Sequence, residues 1–179
     1  TELDSVPGGI GLTGWLNNAY ENVVGDRMGM LNGFSGIFGP TETVHIMVSG
    51  ESSTYIPEMK WLSRQLGDRF SVCDSTFTNI KEGDSVYRFF ELFDLPNIEA
   101  SDFLFAAARK KSIQITAPPK SYLEEKMLFA LFWNRNLKKF WQRELGVKYA
   151  RQLEKVIPET WIMDPTPLPP HAAIPGLNL

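Results

Sequence analysis

Apolar positions recur along the chain with two different periods, and the switches between them mark out its elements. Leu12, Trp15, Leu16, Ala19, Tyr20 and Val23 are spaced by three and four, which predicts an amphipathic helix over 12–23 led in by Thr13 and the glycines before it. Residues 25–41 hold Gly25, Gly29, Gly33, Gly36, Gly39 and Pro40, which predicts a loop. Val44, Ile46 and Val48 then alternate in "TVHIMVS", a strand. "GESSTY" turns into a helix over about 55–66 with Met59, Leu62 and Leu66 inward, and "RFSVCD" is the next strand. "DSVYRFFELFD" reads as a strand running into a short helix. A helix over 99–110 ends in Arg109, Lys110 and Lys111, the charge that suits a carboxyl terminus. "SIQIT" at 112–116 is a strand and "APPK" a rigid turn.

Three helices follow. The first covers 121–133, with Leu123, Met127, Ala130 and Leu131 on one face. The second carries Leu137, Phe140, Trp141 and Leu145 and stops at Gly146; the third carries Tyr149, Ala150, Leu153 and Val156. From Pro158 onward proline recurs at 165, 167, 169, 170 and 175, so the tail is extended. Strand and helix alternate from Val44 to Lys126. That order predicts an α/β fold, a Rossmann-like three-layer arrangement around a mostly parallel sheet, with additional C-terminal helices. The implied organisation is an N-terminal segment 1–42, a Rossmann-like domain 43–133, a helical appendage 134–157 and a Pro-rich tail 158–179.

Composition narrows the classes of partner. A chain of 179 residues suits one domain with or without an appendage. Its net charge of −3 gives no electrostatic reason to expect nucleic acid or a membrane surface. No apolar run approaches the roughly 18 residues of a spanning helix. Cys73 is alone, which excludes an internal disulfide and fits a reducing, cytoplasmic compartment.

Candidate chemistry gathers at three places. In an extended "ELD", Glu2 and Asp4 share a face, as two oxygen ligands for Mg²⁺ would. The "PGGIG" after them lets a ligand approach the backbone ahead of a helix N-terminus. The same pattern is also that of a solvated strand end leading into a helix. "GESST", Gly50–Thr54, follows a strand and precedes a helix, where α/β sheets take ligands, although an ordinary capping turn has the same form. It lacks the glycine-lysine pattern of a P-loop. Lys120, after two prolines at a strand end, is within reach of a phosphate or is a plain surface lysine. His45 reads as a sheet-face histidine, and Cys73 as a packed strand residue with no base beside it.

The order "ELDSVPGGIGLTGWL", strand–"GESST"–helix, "APPKSYLEEKMLFALFW" resembles the circularly permuted ATP-grasp ligases, in particular the glutathionylspermidine synthase family. That family carries Glu-x-Asn-x-x-x-Pro leading into a helix, and later Pro-x-x-Lys with a second lysine six residues on and a closing Trp. Here Glu2, Asp4 and Pro7 fall on the first pattern, and Lys120, Lys126 and Trp133 on the second. The resemblance covers about 1–20 and 43–133 and implies a pre-ATP-grasp type of Rossmann-like domain. It implies Mg²⁺ on Glu2 and Asp4, ATP on Lys120 and Lys126, and substrate at Ser5, Gly8, Gly9, Ser53 and Thr54. The implied reaction joins a small-molecule carboxylate, activated through phosphorylation, to an amine. The family's acidic pair near "GESST" is Ser53 and Thr54 here, which speaks against a polyamine, and Asp4 stands for Asn. The family's Arg-x-Asp strand and its further grasp lysine have no counterpart in these residues, so the resemblance implies a piece that works with the remainder of a parent chain. The competing expectation is a non-catalytic α/β domain that binds a small ligand or a protein.

Overall fold

The computed structural model describes residues 4–20, 27–41 and 43–162. Four strands, β1 (Val44–Val48), β2 (Phe70–Asp74), β3 (Ser85–Phe89) and β4 (Gln114–Thr116), form one sheet in the order β2-β1-β3-β4. Every pairing is parallel; Val44 lies beside Phe70 on one side and Ser85 on the other. Parallel strands need helices over both faces, and strands so covered are buried along their length and largely apolar. β1 and β3 are accordingly buried at all five positions each.

The alternation of side chains divides the core into two layers. Val44, Ile46, Val48, Tyr87 and Phe89 point to one face, joined by Leu31, Phe34, Phe38, Met59 and Leu62. Helices α1 (Ile10–Ala19), α2 (Gly29–Gly36) and α3 (Ile56–Leu66) supply that layer. Met47, Val86 and Phe90 point to the other face, against Ile98, Ala100 and Leu104 at the start and within α4 (Ser101–Arg109). The architecture is α/β with a parallel sheet between two layers, compatible with the expected Rossmann-like fold.

Two sequence expectations change for the helices packed on the first core layer. The glycine-rich stretch expected to be a loop over 25–41 contains α2, because Leu31, Phe34 and Phe38 are buried at 2%, 3% and 1% exposure and their packing outweighs the cost of helical glycine. The rings of Phe34 and Tyr87 meet edge to face at 5.0 Å. The helix expected at 12–23 starts earlier, at Ile10, and its apolar stripe faces out. Leu12, Trp15, Leu16 and Tyr20 are exposed, while Gly11 and Gly14 are the buried residues. Val23 and the rest of 21–26 lie outside the described residues.

The chain divides into two units, Ser5–Pro119, and Thr1–Asp4 with Lys120–Leu179. In the second unit the expected helix over 121–133 is a 3₁₀ turn, Ser121–Leu123, followed by α5 (Met127–Trp133). Phe129 and Ala130 are buried, whereas Met127 and Leu131, expected inward, are exposed. α6 (Lys138–Leu145) and α7 (Val147–Leu153) meet at Gly146, whose φ of 77° lies in the region open to glycine. Phe132 meets Trp133 edge to face and lies tilted against Trp141, which meets Phe140 edge to face, and Trp141 Nε1 donates to the Leu131 carbonyl at 2.9 Å.

Candidate functional site

Strand order decides where a ligand crevice opens. β1 leads outward to β2, and the chain then crosses back to β3 on the other side of β1. The reversal opens a crevice beyond the carboxyl ends of β1 and β3, the place where open α/β sheets bind ligands. Ser49 begins the turn after β1. It is 1% exposed, its N–H donates to the Phe89 carbonyl at 3.4 Å, and its Oγ accepts the Ser52 N–H at 3.2 Å. The turn is thereby tied to β3. Ser53, Thr54 and Tyr55 follow as one exposed 3₁₀ turn, and α3 starts at Ile56 with Pro57 in its first turn. A helix start with proline there is preorganised, and the Tyr55 and Ile56 N–H groups close the turn onto the Ser52 and Ser53 carbonyls.

The loop Ser5–Gly9 comes to the same edge. Val6 is buried in the first core layer, which anchors the loop. Gly8 lies against the ring of Tyr55: a Cβ there would be 2.6 Å from the nearest ring carbon. Tyr55 in turn packs edge-on against Phe89, at 5.3 Å between centroids. Gly9, with φ 82°, ends the loop and caps α1. Gly8 is thus brought to the turn that holds Ser53 and Thr54, while Ser5 lies against Arg88 on β3. A groove of about 550 Å³ runs from Pro7 between α1 and α2, lined by Ile10, Met30, Phe34 and Ile37. Its volume is that of small-molecule sites, and its wall is apolar.

Arg88 holds this edge together. It is fully buried on β3, on the same side as Val86 and Phe90. Its Nη2 donates to Ser5 Oγ at 3.0 Å and to the Pro118 carbonyl at 3.3 Å, its Nε to the Ala117 carbonyl at 2.7 Å, and its Nη1 to the Phe90 carbonyl at 2.8 Å. A buried guanidinium needs such partners, since an unsolvated charge without them is costly. Sequence reasoning missed Arg88, Ser49 and Tyr55. The available signal was a cation inside the apolar run "SVYRFF".

The remaining expected site residues belong to the other unit. Asp4, Lys120 and Lys126 are exposed; Lys120 directly precedes the 3₁₀ turn and Lys126 directly precedes α5. Glu2 lies outside the described residues. The exposed carboxylate of Asp4 is a hard oxygen donor of the kind Mg²⁺ takes. No group of three or more His, Cys, Asp or Glu side chains suited to a metal ion occurs among the described residues.

Cys73 and Asp74 end β2 at the same carboxyl edge. Burial, with the Asp74 charge beside it, pushes the Cys73 thiol up to about 12, so it stays protonated and unreactive. Asp74 accepts the hydroxyl and the N–H of Thr76 at 2.6 and 2.9 Å, and these bonds hold its carboxyl below the usual range. His45 is a sheet-face residue, as expected. Its Nε2 meets Asp84 Oδ2 at 3.0 Å and its Nδ1 meets Ser71 Oγ at 3.2 Å, toward the amino ends of the strands.

No protein-family model, curated protein or solved structure matches the chain. Among the described residues, no helix is long and apolar enough to cross a membrane.

Proposed function

We propose that the chain contributes the α/β domain of an ATP- and Mg²⁺-dependent carboxylate–amine ligase of the circularly permuted ATP-grasp kind, with its sheet of the pre-ATP-grasp type. The observation that supports this best is the meeting of two loops distant in sequence. The Ser5–Gly9 loop meets the Ser53–Tyr55 turn at Gly8, where glycine lets the Tyr55 ring approach the backbone, and Tyr55 packs on Phe89 at the end of β3. In this reading the loop hydroxyls and N–H groups orient the substrate carboxylate. Asp4, with Glu2, holds Mg²⁺, and Lys120 and Lys126 hold ATP. Bound Mg²⁺ supplies charge neutralisation at the phosphates, and the lysines add to it.

Calorimetry with Mg-ATP on the full-length protein that carries these residues tests the reading. Binding is expected, with a loss of tenfold or more in K120A, because a lysine–phosphate contact is charge-assisted and worth about 1.5–3 kcal/mol. Absence of binding by the full-length wild type overturns it. A second reading, a non-catalytic domain that holds a partner protein, draws support from the outward apolar stripe of α1 at Leu12, Trp15, Leu16 and Tyr20.

A further inference from the structure

We propose that Ser71, His45 and Asp84 form a nucleophile–base–carboxylate triad that cleaves uncharged carboxylic esters, an activity separate from the ligase reading. The three residues come from three places in the chain, and all lie within the Ser5–Pro119 unit. His45 joins them: its Nε2 is 3.0 Å from Asp84 Oδ2, and its Nδ1 is 3.2 Å from Ser71 Oγ. A carboxylate only accepts, so Nε2 carries the ring proton and Nδ1 the lone pair. The Ser71 hydroxyl is then the donor to Nδ1, the arrangement in which a histidine takes a serine proton. Two further contacts hold the base in place. Asp84, 4% exposed, also accepts the Lys81 N–H at 2.8 Å, and the His45 and Phe77 rings lie 5.2 Å apart between centroids.

The nucleophile is the accessible member. His45 is 7% exposed, whereas Ser71 is half-buried on β2, the edge strand of the sheet. The Val44 N–H donates to the Arg69 carbonyl at 2.8 Å, which sets the parallel ladder so that Arg69, Ser71 and Cys73 turn their backbone groups to β1. The Val72 N–H therefore faces the open edge, one residue past the nucleophile, as a donor for a developing oxyanion must. In the reaction, Ser71 Oγ bonds to the ester carbonyl carbon as its proton passes to His45 Nδ1. The C–O bond to the alcohol then breaks, and Nδ1 returns that proton to the departing oxygen. A water molecule, deprotonated by the same nitrogen, displaces the acid and restores Ser71. The imidazolium formed in each step rests beside the Asp84 carboxylate. Asp84, together with Asp74 on the same strand as Ser71, repels an anionic substrate, which makes the class an uncharged ester.

The test treats the full chain with a fluorophosphonate, which bonds covalently to activated serines, and maps the adduct by mass spectrometry. Turnover of p-nitrophenyl acetate and thermal midpoints are measured alongside. An adduct on Ser71 is expected in the wild type. S71A, a small change at a half-buried position, is expected to lose both the adduct and the turnover while it stays folded. D84N keeps the shape of the side chain but leaves the histidine in the wrong tautomer, and labelling is expected to slow by about 100-fold or more. A wild type without an adduct on Ser71 overturns the proposal, and so does turnover that S71A retains in full; His45 and Asp84 then only tie the 75–84 crossover to the sheet. If D84N fails to fold, the wild type and S71A decide. Mg-ATP binding enters none of these outcomes, so the ligase reading stands or falls separately.

Discussion

A Cβ on Gly11 would stand 2.6 Å from the Glu58 carbonyl oxygen and 2.5 Å from the Glu58 Cγ. Its N–H donates to Glu58 Oε1 at 3.0 Å, so α1 and α3 touch backbone to backbone at this point. The substitution G11A sets two effects against each other. Alanine gains about 1 kcal/mol of helix propensity over glycine, and overpacking against immovable backbone costs roughly 1–3 kcal/mol. A net loss of stability is expected in urea unfolding; a gain would mean that α1 does not rest on α3. Gly8 differs, because its neighbour is the free end of the Tyr55 ring, which can swing aside. At this scale the sequence was legible for Ser53 and Thr54 as part of a turn between a strand and a helix, since glycine and hydroxyls after a strand mark such a turn. Arg88 was not legible. Its partners are three backbone carbonyls and one hydroxyl, and carbonyls leave no trace in a sequence.

At the scale of elements, the connection from β2 to β3 is unusual. Parallel strands are commonly joined through a helix, yet residues 75–84 cross over β1 without one. Phe77 and Ile80 pack into the second core layer, and Asp84, 4% exposed, accepts the Lys81 N–H at 2.8 Å while meeting His45. The variant D84A leaves those buried donors without a partner, at a cost of about 1–3 kcal/mol. Faster amide exchange concentrated in 75–84 is expected by hydrogen-exchange mass spectrometry. Unchanged exchange there would assign the anchoring to Phe77 and Ile80 alone. Strands and α3 were readable because their apolar periods coincide with the faces they bury: Met59 and Leu62 are both fully inside. The face of α1 was not. A three-and-four apolar stripe normally marks the buried side, but close approach of two helices selects glycine, and the stripe on the opposite side was left outward.

At the scale of the molecule, both core layers lie within Ser5–Pro119. Its sheet, the helices on both faces and the Arg88 cluster are complete inside that span. The chain 5–119 made by itself is expected to unfold cooperatively in urea and to give dispersed amide resonances. A broad, non-cooperative transition would show that its core depends on residues beyond Pro119. The alternation of strand and helix from Val44 onward determined the α/β class, since each period fixes which side chains share a face. The order β2-β1-β3-β4 was decided only in three dimensions, because parallel strands are interchangeable by pattern and their order depends on which crossovers pack. That same order sets where the carboxyl ends of β1 and β3 open, so the pattern along the chain determined the elements, and tertiary packing alone brought Ser5 to Arg88 and Gly8 to Tyr55.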